Sequence, residues 1–289
     1  MAASRKTEIV RRIVIDMKDQ RSKHLCWLWV LLAALTTTQV LAEDPVAQLL
    51  SRVATNVAEQ QRSNPDFLAN EDVTMQELEN GKVVHEKHIV SEFHAVHSDS
   101  KSKSIEHRKV LSATEDGKPQ NRSEYVLPLG VRGGFAEDAP GYFGQANAGC
   151  FDFESIRQDQ LRGRSAIVLA MRRKKSSIAD STCSAAYKID ATAWIDTETY
   201  QILRLELGPR KDLDYSVPFS RSNGKYTYAP VIEYGEVQIA DRSYWVPIEK
   251  RVDFVKENGK VTYKYVVRYS DFHKFVSTAK IVDVGDPGK

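Results

Sequence analysis

The chain has 289 residues, with 41 Lys and Arg, 39 Asp and Glu and a formal net charge of +2. Seven of the basic and three of the acidic residues precede Glu43, so the remainder carries 34 basic and 36 acidic side chains. That balance gives no strong field for nucleic acid, and we expect no nucleic-acid partner. The length allows one large core or two small ones.

The N-terminus has the pattern of an export signal. An apolar block at residues 25–35 follows a basic stretch and precedes small residues that end at Ala42. A membrane-spanning helix needs roughly 20 apolar residues, and polar residues 36–39 interrupt this block too early. The sequence therefore predicts a signal peptide over residues 1–42, cleaved near Ala42, with Met17 as an alternative start.

The remainder, residues 43–289, is predicted to be a single domain, either periplasmic or secreted. Two of the three cysteines, Cys150 and Cys183, lie in it. An even pair in an exported chain predicts a disulfide bond, and two free buried thiols are the alternative. Residues 120–149 are rich in glycine and apolar side chains, and we expect them to pack on the domain as an ordered loop or short helix.

An amphipathic helix is predicted to open this domain. Asp44 and Pro45 supply an N-cap and a first-turn proline, and the helix should stop before Asn64-Pro65. Apolar residues then recur at spacings of three and four, which places them on one face: Val46, Leu49, Leu50, Val53 and Val57.

After the helix the period of the apolar positions changes to two, as in β-strands with one buried face. Two Asn-Gly pairs, Asn80-Gly81 and Asn258-Gly259, separate extended segments and are typical of tight hairpin turns. Alternation is clearest in residues 191–207, 244–254 and 261–269. These segments predict an antiparallel meander.

No catalytic, cofactor or metal site is predicted. His85 and His88 are three apart on a strand, as are His94 and His97, and such residues point to opposite faces. The chain has no Gly-x-Ser-x-Gly nucleophile motif. We therefore expect the protein not to be an enzyme and to need no cofactor.

Three motifs resemble the LolA/LolB-like superfamily of outer-membrane lipoprotein-sorting carriers. Residues 191–206 (ATAWIDTETYQILRLE) are similar to its WID-ET--ILR-E segment, Tyr244-Trp245-Val246-Pro247 to its YWLP strand, and residues 269–275 to its closing Y-DF-KF. The resemblance covers the last third of the chain well. It implies α+β architecture: a curved, unclosed half-barrel sheet, an N-terminal amphipathic helix, short covering helices, and an apolar cavity between sheet and helices.

We therefore expect a periplasmic carrier that holds a lipid or acylated peptide in that cavity. The apolar stripe predicted to line the cavity, or the core beneath it, is Leu203, Leu205, Leu207, Val246, Ile248, Phe254, Val261, Tyr263 and Tyr265. We expect a monomer with peripheral contact to the envelope membrane. The alternatives are an envelope protein–protein interaction module without a cavity, and a secreted hydrolase whose catalytic groups converge only in the folded chain.

Overall fold

The structure is a computed structural model, and it describes residues 44–98, 101–121, 135, 138–178, 183, 189–208, 210–215, 224–256 and 261–275. The predicted signal peptide and the Asn258-Gly259 turn lie outside the described residues. By backbone contacts the chain divides into residues 1–45 and residues 46–289, and the second unit holds the elements below.

The predicted N-terminal helix is confirmed as α1, Pro45–Ser63. Leu49, Val53 and Val57, spaced four residues apart, are its buried side chains. One apolar stripe therefore faces the protein, with Val46 and Leu50 half-buried at its edge. No helix in the described part of the chain is long and apolar enough to span a membrane.

In the part of the chain that the structure describes, twelve strands follow, and their residues alternate between the two faces as the period of two predicts. Their bounds are β1 Phe67–Glu79, β2 Lys82–Ser98, β3 Lys101–Glu115, β4 Lys118–Pro119, β5 Phe151–Leu161, β6 Arg164–Arg173, β7 Ala191–Asp196, β8 Ile202–Leu207, β9 Arg210–Tyr215, β10 Gly224–Ile239, β11 Arg242–Lys256 and β12 Val261–Lys274.

All the strands join one antiparallel, curled sheet in the order β4-β3-β2-β1-β12-β11-β10-β8-β7-β6-β5, with β9 paired beside β10. The sheet is unclosed, because β4 and β5 end the path at opposite edges. The β1–β2 hairpin turns at Asn80 (φ 49°) and Gly81 (φ 79°), as the Asn-Gly pair predicted. The predicted fold class is confirmed.

The described part of the glycine-rich segment forms short helices. The first, α2, spans Asp138–Phe143, and a 3₁₀ helix spans Gln145–Cys150. Cys150, at the end of the second helix, is joined to Cys183 by a disulfide bond across 33 residues of sequence. This bond ties the segment to the chain before β7.

Removing the disulfide should destabilise the protein substantially. In the chain-entropy account, opening a loop of this length costs about 4 kcal/mol, a large share of a typical folding free energy. We expect the double variant Cys150→Ala/Cys183→Ala to show that loss in urea denaturation. Reductant should lower the stability of the wild type by a similar amount and leave the variant unchanged; a wild type indifferent to reductant would contradict this.

Candidate functional site

One row of residues crosses most of the sheet on a single face. Residues that stand opposite each other on neighbouring strands point to the same side of a sheet. Except for Lys250, which is half-buried, every member of the row is apolar and buried. From β6 to β3 the row is Leu169, Ala193, Leu205, Ile232, Lys250, Val267, Val73, Ile89 and Ala113. We call this side the covered face.

Helices contribute to only one of the two large apolar clusters that include the row. The helix cluster joins α1 and α2 to strands β5 to β8 and β10; its helical members are Leu49, Val53, Val57, Ala139, Tyr142 and Phe143. The strand cluster lies on β1, β2, β3, β10, β11 and β12. Among the described residues, Phe135 is its one member from outside the strands. Within the described residues, helical side chains therefore pack on one half of the row and strand side chains with Phe135 on the other.

The structure distributes the nine predicted ligand-binding residues between these clusters. Val246, Phe254, Tyr263 and Tyr265 are buried together in the strand cluster. Leu205 is buried in the helix cluster, with Leu207 packed at its edge. Leu203 and Ile248 belong to neither cluster, and the Val261 side chain lies outside the described part.

Two β-bulges explain why the predicted apolar residues do not all lie on one face of the sheet. Ile195 pairs with Ile202 and Trp194 pairs with Arg204, so Leu203 is an extra residue in β8. An extra residue reverses the alternation of faces. Leu203 consequently packs with Trp194 in a small cluster on the other face, and does not share a face with Leu205 and Leu207 as predicted.

Ile248 is the extra residue in β11, because Glu233 pairs with Glu249 and Tyr234 pairs with Pro247. It is half-buried, and its side chain lies against the backbone of Gly235. A Cβ atom added at Gly235 would stand only 2.9 Å from the Cδ1 atom of Ile248. A glycine at position 235 therefore makes room for the bulged side chain.

Phe135 inserts its ring among aromatic side chains of the strand cluster. Its ring centroid lies 5.4 Å from that of Phe67, 5.2 Å from Phe93 and 4.7 Å from Tyr269. Phe272 is a further neighbour at 6.5 Å. These separations are those of favourable tilted and edge-to-face pairs. The aromatic end of the strand cluster is therefore centred on one side chain.

A polar centre lies within this aromatic end. The Arg108 Nε atom on β3 donates to both carboxylate oxygens of Glu71 on β1, at 3.0 and 2.9 Å. A second guanidinium nitrogen donates to Glu106 at 3.1 Å, and Glu106 also accepts from the backbone N–H of Phe135 at 2.8 Å. The side chains are 9% exposed for Arg108, 0% for Glu71 and 5% for Glu106. Two carboxylates therefore share one buried guanidinium.

Burial and the close charges act in opposite directions on the Glu71–Arg108 pair of this centre. Burial raises the pKa of the Glu71 carboxyl above its ordinary value, although the Arg108 guanidinium acts in the opposite direction. Burial also raises the pKa of Tyr269, whose hydroxyl is hydrogen-bonded to Glu71 and stays protonated. Arg108 also stacks over the Phe93 ring, with its Cζ atom 4.7 Å from the centroid. Sequence reasoning missed this centre.

The WID-ET motif has a structural role in this chain. Asp196 Oδ1 accepts from the backbone N–H groups of Glu198 and Thr199, at 3.1 and 2.7 Å, which closes the β7–β8 turn. Asp196 Oδ2 accepts from Arg164 Nε at 2.6 Å. Trp194 Nε1 donates to Asp159 on β5 at 3.0 Å. These residues hold the turn and the outer face together.

The strand histidines pair with carboxylates: His85 with Asp116, His88 with Asp72 and His94 with Glu92. Within the described ranges, no three or more His, Cys, Asp and Glu side chains are grouped so that they could hold a metal ion.

Solved structures with similar architecture include envelope proteins. One is described as an outer-membrane lipoprotein-sorting protein domain from Vibrio parahaemolyticus, at 10% identity over 80% of this chain and 94% of that one, with TM-score 0.43. A DUF1329 family protein from Desulfovibrio piger matches at 12% identity over 81% and 95%, with TM-score 0.41. A LolA superfamily protein from Nitrosomonas europaea matches at 12% over 79% and 94%, with TM-score 0.30.

These matches include the lipoprotein-sorting group whose motifs the sequence resembles. No protein-family profile matches the chain, and no curated protein matches it. Because the three TM-scores are below 0.5, we take the function from this chain's own side chains.

Asp196 should make the stability of the protein depend on pH in the acid range. Burial acts to raise the pKa of this carboxyl, but Arg164 and the turn N–H groups outweigh it and lower the pKa to about 2. A lowered pKa contributes stability above the unfolded value near 4, and that contribution disappears as the pH falls through about 2.

We expect Asp196→Asn, which retains an oxygen for the turn, to lose about 2 kcal/mol of unfolding free energy at pH 7. The difference from the wild type should shrink as the pH approaches 2. Glu198→Gln, an exposed charge in the same turn, is the control and should change little. A deficit in Asp196→Asn that is constant from pH 7 to pH 2 would contradict the assignment.

Proposed function

We propose that the protein is a periplasmic carrier that holds an apolar ligand, a lipid or an acylated peptide, against the strand cluster. The role needs no catalytic group, because sequestering an apolar chain from water is itself the function. Phe254, Tyr263 and Tyr265, three of the residues predicted from sequence, are the proposed contacts on the covered face of β11 and β12.

The observation that carries this proposal is an aromatic-rich apolar cluster on the strands to which, among the described residues, neither α1 nor α2 contributes a side chain. Helices α1 and α2 pack on one half, whereas the strand cluster receives Phe135 alone from the described non-strand residues. A sheet face normally buries itself against a second layer of secondary structure. We infer that the strand cluster is where a ligand supplies that layer.

The energy available from apolar burial is sufficient. Each buried CH₂ group contributes about 0.8 kcal/mol, so one long acyl chain supplies on the order of 10 kcal/mol before the cost of displacing the protein's own contacts. Association costs about 4 kcal/mol or more, which leaves on the order of 6 kcal/mol, a Kd in the range of tens of micromolar. Aromatic rings of Tyr263 and Tyr265 add contact area at low entropic cost.

Export of the protein from the cytoplasm is consistent with a carrier role. The predicted signal peptide would deliver residues 43–289 to an oxidising compartment, where the Cys150–Cys183 disulfide is stable. We propose that the mature chain acts as a monomer that meets the envelope membrane peripherally to load or release its ligand.

Binding of a neutral solvatochromic dye such as Nile red by the delipidated protein tests the proposal. We expect saturable binding that a monoacylglycerol displaces. Tyr265→Leu, on the covered face, should weaken binding by about fivefold, or about 1 kcal/mol. Val266→Ala, the neighbouring position on the other face of β12, is the matched control and should bind as the wild type does.

Native mass spectrometry of the protein before delipidation provides the second readout, and we expect a co-purifying lipid or acylated peptide. The carrier proposal would be removed if the protein is repeatedly recovered empty and does not bind the dye. It would also be removed if the protein is recovered empty and Tyr265→Leu binds the dye as tightly as the wild type does. An interaction module would then be the better explanation.

A further inference from the structure

One hydrogen-bonding group of the polar centre, the Ser91 hydroxyl, has no partner among the described residues. Ser91 on β2 stands directly opposite Glu71 on β1, so the two side chains lie on the same face. Ser91 is 0% exposed, and its Oγ atom has no hydrogen-bond partner. A buried hydroxyl without a partner costs on the order of 1 to 3 kcal/mol. This group therefore marks a position at which a ligand's polar atom would be stabilised.

The charge of the centre restricts the kind of polar atom it accepts. The centre holds two carboxyl side chains, Glu71 and Glu106, and one guanidinium, that of Arg108, so by formal count its charge is −1. In a buried site an added anion would face that surplus with little screening by water. A neutral or cationic group would meet no such repulsion.

One hydrogen bond of the centre comes from a backbone N–H outside the strands. Glu106 accepts from the backbone N–H of Phe135, the one described non-strand residue of the strand cluster. An N–H or ammonium group of a ligand has the same hydrogen-bonding character as that backbone N–H. Ser91 Oγ can in addition donate to an ester or amide carbonyl.

From these contacts we infer that the polar centre of Glu71, Ser91, Glu106, Arg108 and Tyr269 is a head-group site that selects neutral or cationic amphiphiles and rejects anionic ones. The inference rests on the proposed function, because it names the class of ligand held on the same face. Ester- or amide-linked acyl chains and long-chain amines fit the site, and free fatty acids do not.

Lys250 is a further charged side chain on the covered face. Others on this stretch, outside the polar centre, include Glu77, which accepts from the Tyr263 hydroxyl, and Lys87, which pairs with Glu115. Lys250 stands opposite Val267, two positions before Tyr269, and it already has an interaction partner. It is half-buried at the border between the two clusters. A head group placed at Lys250 would show the opposite charge preference, and this makes the two positions distinguishable.

Three amphiphiles with the same saturated chain test the inference by displacing the neutral dye from the delipidated protein: a monoacylglycerol, an alkylamine and a fatty acid. We expect the first two to bind at least tenfold more tightly than the fatty acid at pH 7.5. Glu106→Gln should remove most of that difference in affinity, because it removes the surplus negative charge. Glu79→Gln, an exposed carboxylate on β1, is the matched control and should leave the difference unchanged.

Ser91→Ala is the second variant, and it should fold because it removes only a hydroxyl without a partner. It should weaken monoacylglycerol binding by about threefold to tenfold and leave the alkylamine affinity unchanged. Equal binding of the three amphiphiles overturns the inference and leaves the carrier proposal intact. A preference for fatty acid that Lys250→Gln abolishes also overturns it. If neither dye nor amphiphile binds, both proposals fail.

Discussion

The structure depends on keeping one face of a wide, curled antiparallel sheet away from water. Strands with apolar side chains on every second position must cover that face or aggregate. Here α1 covers the half formed by β5 to β8 with three side chains four residues apart, Leu49, Val53 and Val57. The other half gathers aromatic residues of β1, β2 and β12 around Phe135. The proposed function follows from this difference between the halves.

Burying the polar centre costs folding free energy, so its presence on the covered face requires a physical explanation. A buried ion pair gains little over an apolar pair, since desolvation offsets most of the attraction between the charges. The unequal ratio of carboxylate to guanidinium and the unpaired hydroxyl of Ser91 add to that cost. Apolar side chains at Glu71 and Arg108 would satisfy the fold alone. Under the proposed function these polar groups recognise the ligand's head group, because ligand selection requires groups that distinguish one head group from another.

Local patterns predicted much of the fold. Helix α1 and the Asn80-Gly81 hairpin depend on residues close in sequence, so their signals are visible directly. Leu203 and Ile248 depart from the predicted alternation because each is the extra residue of a β-bulge, and a bulge is set by pairing with the neighbouring strand rather than by the apolar pattern of its own strand. The polar centre was not predicted, because its members come from different strands. One indication was present in the sequence: Glu71 interrupts the apolar alternation of Phe67, Ala69, Val73 and Met75 in β1. Arg108 and Glu106 joined it only through the pairing of β2 with β3.

The central claim is that an apolar ligand lies on the covered face, against β1, β2, β11 and β12. A monoacylglycerol with a photoreactive diazirine in its acyl chain tests this most directly, with crosslinked peptides mapped by mass spectrometry. The account predicts adducts on covered-face residues of the strand cluster, such as Met75 and Tyr265, that an excess of unlabelled ligand prevents. Adducts confined to outer-face positions such as Val255 and Val266, or labelling that competitor does not reduce, would contradict it.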